Sequence, residues 1–257
     1  MSIMSSTPLQ QLINGQQLWP AKQRKGRAGS SANRCSATGF SSLDKALHQG
    51  GWPRNGSCEL LCTTAGIGEL SLVLPALGQL AKQRPIAWLN PPWLPFAPGL
   101  QQQQLDATSQ WLIRAPKTQQ LWAAEETLRS GVFAALLSWS SDPQLQNRQL
   151  RRLHIAAREG DCWHIHFRSP ICRQQASPAP LRLLLSGKAD SLQLEILKQS
   201  GGHAGQRLNI ERPKDLLWRQ QPASQWPVQT AARQRLILPP TRLHSRAAAV
   251  HAPLRPQ

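Results

Sequence analysis

The chain has 257 residues, 40% of them hydrophobic, with a mean hydropathy of −0.40 and a formal net charge of +17. This length fits one mid-sized domain with flexible ends, and no apolar run approaches the roughly 20 residues of a membrane helix. Met1 to Leu18 is rich in Gln and Ser and has neither the basic start nor the apolar core of a secretory signal. A cytoplasmic location is expected, with no part in a membrane.

The charge is concentrated at the ends. Residues 1–37 carry five basic side chains and no acid, and residues 212–257 carry eight basic residues against Asp215 alone. Residues 38–211, with 17 basic and 12 acidic side chains, contribute only +5. Basic ends can engage DNA or an acidic partner protein through non-specific electrostatics, or simply keep the chain soluble. The cysteines (Cys35, Cys58, Cys62, Cys162 and Cys172) are odd in number and form no CxxC pair. Cys58, Cys62 and Cys162 fall in apolar strands and read as small core residues, which argues against disulfides and a zinc site.

In chain order, residues 1–37 form an N-terminal segment ending in a small, polar, basic linker over residues 20–37. The ordered domain is expected over residues 38–212. It opens with a short helix between Thr38 and Leu47, capped by Ser41 or Ser42, and a glycine-rich turn at Gly50–Gly56. Strands are expected at Cys58–Cys62, Ile86–Leu89, Trp111–Arg114, Phe133–Trp139 and Cys162–Phe167. Helices are expected at Glu69–Gln83 (with Pro75 inside it), Gly99–Leu105, Gln119–Ser130 and Pro143–Glu159. This alternation predicts an α/β fold with a mostly parallel sheet and right-handed crossovers. Leu181–Leu185 and Leu192–Lys198 flank Gly187–Asp190 as a small antiparallel hairpin, with Gln206–Glu211 as a third strand. Residues 213–257, rich in Pro, Arg and Gln, read as a tail with one apolar cluster, Arg235, Leu236, Ile237 and Leu238.

The most informative stretch is Glu59–Ser71. An apolar strand runs into the small-residue loop Thr63-Thr64-Ala65-Gly66-Ile67-Gly68, and a helix follows. It looks like a phosphate-binding loop whose Gly-Lys-Ser/Thr ending is replaced by Gly68-Glu69-Leu70. In a working loop the lysine reaches the β- and γ-phosphates and the hydroxyl binds magnesium. Aligning the helix starts puts Glu69 at the lysine position, where a carboxylate repels triphosphate, and Leu70 at the metal-ligand position. Glu69 is expected to stabilise its own helix start instead. Gly66, Gly68 and Glu69 thus mark a degenerate loop with no cofactor.

The blocks Thr38-Gly39, Leu43-Asp44, Ala46-Leu47, Gly50-Gly51 and Pro53-Arg54-Asn55-Gly56 resemble the entrance to the RecA ATPase core. Ala65–Leu70, Leu74–Leu77, Ile86–Pro92, Pro95–Pro98, Leu121–Glu125 and Leu128–Gly131 are similar to ImuA, a RecA-like accessory family of bacterial mutagenic translesion synthesis. SulA, the SOS cell-division inhibitor family, has a related core from the first long helix to Phe167. The resemblance covers about Thr38 to Arg212. It implies a RecA-like fold, expression under DNA damage and action through partners. For ImuA these are an ImuB-like Y-family polymerase homologue, an error-prone polymerase α subunit, and RecA; for SulA, FtsZ. The complete entrance to the core and the long basic tail favour the ImuA-like adaptor over the SulA-like inhibitor.

A RecA-like ATPase also needs carboxylates after two other strands. Here those positions read Asn90-Pro91-Pro92 and Ser138-Trp139-Ser140, and Asp142 lies further along. Together with the altered loop, these losses predict a protein that is not an enzyme. Trp163-His164-Ile165-His166 places two histidines on one strand face with no acid or cysteine cluster at metal-site spacing, so they read as structural. Trp93 and Phe96, in the Pro-rich loop, either anchor a protein partner or lid the hollow left by a missing nucleotide. Arg235–Leu238 can add to a partner's sheet edge.

Overall fold

A computed structural model describes residues 35–54, 56–140, 142, 145–188 and 191–211. The expected basic ends, including Arg235, Leu236, Ile237 and Leu238, lie outside these residues. β1 (Cys35–Ser36) pairs antiparallel with β2 (Trp52–Pro53), so the described domain starts three residues before Thr38.

The main sheet contains β3 (Ser57–Cys62), β4 (Ile86–Leu89), β5 (Gln110–Ile113), β6 (Ala135–Trp139), β7 (Trp163–Arg168), β8 (Leu181–Gly187), β9 (Ser191–Gln199) and β10 (Arg207–Glu211). Their spatial order is β5-β4-β6-β7-β3-β8-β9-β10. From β5 to β8 every neighbour is parallel, and β9 and β10 add antiparallel. The expected C-terminal antiparallel hairpin is continuous with this sheet. β8 pairs with β3 from Cys58–Leu181 to Cys62–Leu185 and extends the same sheet.

The helices are α1 (Ser41–Ala46), α2 (Glu69–Leu80), α3 (Ala97–Gln102), α4 (Gln120–Arg129) and α5 (Asn147–Glu159). Side chains alternate across each strand, which gives the sheet two different faces. Cys58, Leu60, Ile86, Trp88, Ile165 and Phe167 pack with Leu43 of α1 and with Leu72 and Leu77 of α2. Ala87, Leu89 and Leu136 pack on the other side with Ala124 and Leu128 of α4 and Leu153 and Ala156 of α5. On the first face Trp88 stacks on Trp139 (ring centroids 6.1 Å apart), and Trp139 stacks on Phe167 (4.6 Å).

α3 begins at Ala97 rather than Gly99 and α4 at Gln120 rather than Gln119, and two other helix starts differ in their capping. Neither Ser41 nor Ser42 caps α1, because Phe40 occupies the cap position. Instead the Thr38 amide donates to Asp44 Oδ1 (2.8 Å) and the Phe40 amide donates to Thr38 Oγ1 (3.0 Å), so the turn before the helix is braced from both sides. α5 begins at Asn147 rather than Pro143. Gln146 and Gln149 form a reciprocal capping box there, satisfying backbone N–H groups that a longer helix would have placed elsewhere.

Candidate functional site

The loop leaving β3 is built around two glycines in left-handed conformations, Gly66 (φ +83°) and Gly68 (φ +96°). A side chain at Gly68, the N-cap of α2, would strain the backbone at the point where the chain turns into the helix. The turn folds Glu69 back beneath its own loop. Glu69 is buried, and its Oε1 accepts from the Gly66 amide at 2.9 Å. The Gly68 carbonyl accepts from the Ser71 amide (3.1 Å) and from Ser71 Oγ (2.6 Å). The loop N–H that would face an external anion is thus occupied by an internal carboxylate. Glu69 Oε2 is also buried and has no hydrogen-bond partner among the described residues. Burial, and then the charge of Glu69, push the Cys62 thiol well above its usual range, so this cysteine is not a ready nucleophile.

The other strand ends carry structural polar groups. Asn90, after β4, has φ +48° and clamps the exit of β5. Its Nδ2 donates to the Ala115 carbonyl (2.8 Å), and its Oδ1 accepts from the Ala115 amide (2.9 Å). Ser138, near the end of β6, shares a hydrogen bond of 2.8 Å with His164 Nε2, while Ser57 shares one of 2.9 Å with His164 Nδ1. One imidazole therefore ties three strands together. His166 stacks on His164 with ring centroids 5.3 Å apart. Burial, and then the neighbouring His166, hold His164 well below its ordinary range; burial, and then Arg168, lower His166 to about 3. Both rings are neutral near pH 7. Asp142 and His166 line a crevice with Lys117, Gln120 and Ser138 between the diverging connections of β4 and β6, a position that holds ligands in many open α/β sheets. No group of three His, Cys, Asp or Glu side chains among the described residues could hold a metal ion.

Beyond the histidines, the same face carries an ion cluster that strand periodicity had hidden. Arg182 Nε donates to Glu59 Oε2 (2.8 Å), Arg168 Nη1 approaches Glu59 Oε1 at 3.4 Å, and Ser177 Oγ donates to Glu59 Oε1 at 2.6 Å. Arg182 also donates to the carbonyls of Cys172 (2.8 Å) and Gln175 (3.0 Å). All three charged side chains are buried. The cluster fastens the segment between β7 and β8 across the end of β3. Its sequence signal is faint: one glutamate inside an apolar strand, and an arginine in phase with two histidines.

The remaining sequence candidates stand apart from the β3 loop. Trp93 is 72% exposed, so most of its indole faces solvent. Its loop leaves β4, three strands away from β3, roughly 14 Å at ordinary strand spacing. Phe96 is half-buried at the N-cap of α3. Among the described residues no helix is long and apolar enough to cross a membrane.

No family model matches the sequence, and no curated protein matches it. Among solved structures, the chain is similar to SulA from Pseudomonas aeruginosa at 24% identity, over 44% of this chain and 97% of that one, with a TM-score of 0.36.

Proposed function

We propose that the chain is a non-enzymatic, RecA-like accessory protein of damage-induced translesion synthesis, resembling ImuA. In this reading it acts in the cytoplasm as an adaptor that joins an ImuB-like polymerase homologue and an error-prone polymerase α subunit to RecA. Its central domain spans residues 38–212 between basic ends, with the β3 loop as a degenerate phosphate-binding loop that takes no cofactor.

The observation that carries the reading is the Glu69 carboxylate within the β3 loop, accepting from the Gly66 amide. A triphosphate entering the loop must displace a buried carboxylate and then meet its negative charge. Two further features support the reading: Asn90 and Ser138, at the strand ends where an ATPase needs carboxylates, are committed to holding the fold. What remains is a rigid frame whose outer surface can carry partners.

Two measurements test it. Calorimetric titration with ATP-magnesium is expected to give no binding heat; saturable heat overturns the account of the loop. In pulldown, the chain is expected to retain the ImuB homologue. Retention of FtsZ without ImuB overturns the adaptor and favours a division inhibitor.

A further inference from the structure

The parallel strands β4, β5 and β6 all end at one edge of the sheet, and that edge carries an unusual set of exposed groups. Trp93 lies in the loop leaving β4, Arg114 directly follows β5, and Lys117 stands in the turn before α4. Trp122 is in the first turn of α4, and Arg148 and Arg151 are in the first two turns of α5. All six are exposed, Trp93 by 72% and Trp122 by 41%. No ion pair among the described residues includes any of these four cations.

Several arginines elsewhere are paired, and two of these pairings join the neighbouring helices. Arg152 meets Glu125 (2.5 Å), and Arg129 meets Glu125 (2.9 Å) and Glu159 (3.2 Å), which locks α4 against α5 side by side. About one turn before Glu125 and Arg152 come Trp122 and Arg148, so the two share one end of the helix pair. Arg114 Nη1 donates to the Pro91 carbonyl at 3.2 Å, which holds its guanidinium against the loop that carries Trp93. The acids on this side are Asp142, Glu125 and Glu126; Glu125 is engaged by Arg129 and Arg152, and Glu126 lies 3.7 Å from Arg129. Asp106, Glu159 and Asp161 belong to the opposite edge, before β5 and β7.

We propose that this carboxyl-end surface binds single-stranded nucleic acid. Exposed guanidinium and ammonium groups neutralise phosphates and release counterions. Exposed indoles supply faces on which unpaired bases stack, which a duplex cannot offer without unstacking. The inference deepens the adaptor reading by placing nucleic-acid contact on the ordered domain, and it rests on that reading only for its biological use. Binding is measured with this protein alone, so failure here and failure of the polymerase pulldown are separate results.

The test uses the full chain and a short fluorescein-labelled oligo-dT in fluorescence anisotropy across a salt series. The W93A/W122A variant is expected to bind about tenfold more weakly for each indole removed, with an unchanged salt slope. R148Q/R151Q is expected to lower that slope by about 1.4, or roughly 0.7 per lost phosphate contact. W93Y/W122Y keeps the aromatic faces and is expected to restore binding, which separates stacking from misfolding. The proposal fails if the wild-type chain does not bind oligo-dT. It also fails if both variants bind as tightly as wild type, which assigns the contact to the basic ends. Equal competition by polyglutamate, with no effect of W93A/W122A, overturns it in favour of an acidic protein partner.

Discussion

Glu69 does at the residue scale what a bound anion does in a working phosphate-binding loop. It places negative charge at the start of α2 and satisfies the Gly66 amide from inside the chain. Glu69→Ala removes that acceptor and is expected to cost about 1–2 kcal/mol in urea unfolding. Glu69→Gln, which keeps an acceptor oxygen, costs less; equal stability of the alanine variant and the wild type would show that the bond contributes nothing. The buried histidines give a pH signature. His166 titrates in the folded protein at about 3, against an ordinary 6.5, so the unfolded chain takes up its proton first as pH falls. The stability held by the neutral ring is complete above about pH 6.5 and is lost as pH falls towards 3. The slope is up to about 1.4 kcal/mol per pH unit for each such histidine. Urea midpoints between pH 6.5 and 5 are expected to fall less steeply in His166→Asn than in the wild type. Parallel slopes would show that this ring does not titrate on unfolding.

At the element scale, β7 shows how one strand serves two environments. Trp163, Ile165 and Phe167 feed the apolar face, while His164, His166 and Arg168 form a polar column on the other. That column meets Glu59 of β3 and Arg182 of β8, joining three adjacent strands by charge. Glu59→Gln leaves two buried guanidinium groups without their carboxylate and is expected to cost about 3–5 kcal/mol. The triple variant Glu59→Leu, Arg168→Met, Arg182→Leu is expected to recover most of that loss, because a packed apolar set avoids the desolvation of three charges. Guanidinium denaturation reads both, and a triple variant less stable than Glu59→Gln would mean that the charges, rather than their burial cost, hold the segment between β7 and β8. Strand alternation made β7 legible in the sequence to within one residue. The start of α5 was not, because the polar run before Asn147 fits a helical turn equally well until Gln146 and Gln149 close their capping box.

At the scale of the whole molecule, the functional question is spread over several strands. The β3 loop, Asn90 after β4 and Ser138 on β6 are far apart in sequence and are brought to one edge by the sheet order. Restoring one of these positions therefore leaves the others unchanged. Glu69→Lys with Leu70→Thr rebuilds the sequence of a phosphate-binding loop but supplies no carboxylate at the ends of β4 or β6. Phosphate-release assays are expected to show no ATP turnover above background in this double variant. Turnover would mean that the chemistry needs only the loop. The same sheet order gathers Trp93, Trp122, Arg114, Lys117, Arg148 and Arg151 on one side. That clustering could not be read along the chain, where these residues are spread over nearly sixty positions and the strongest basic signals lie in the two ends.

The sequence by itself determined the alternation of strands and helices, the parallel core, the hairpin after it, and the glycine loop with Glu69 at the start of the helix that follows β3. Each of these depends on local periodicity or on residue type at a fixed spacing. Only the tertiary structure decided that the Gly66 amide is the donor to Glu69 and that Glu59 is shared by Arg168 and Arg182. It also decided that Ser57 and Ser138 hold one imidazole between them, and that Trp93 faces solvent. For the strand residues among these the physical reason is the same. A polar side chain in an apolar strand can be charged, paired or solvated, and which of these it becomes depends on the residue that the neighbouring strand brings beside it, from more than a hundred positions away in the case of Glu59.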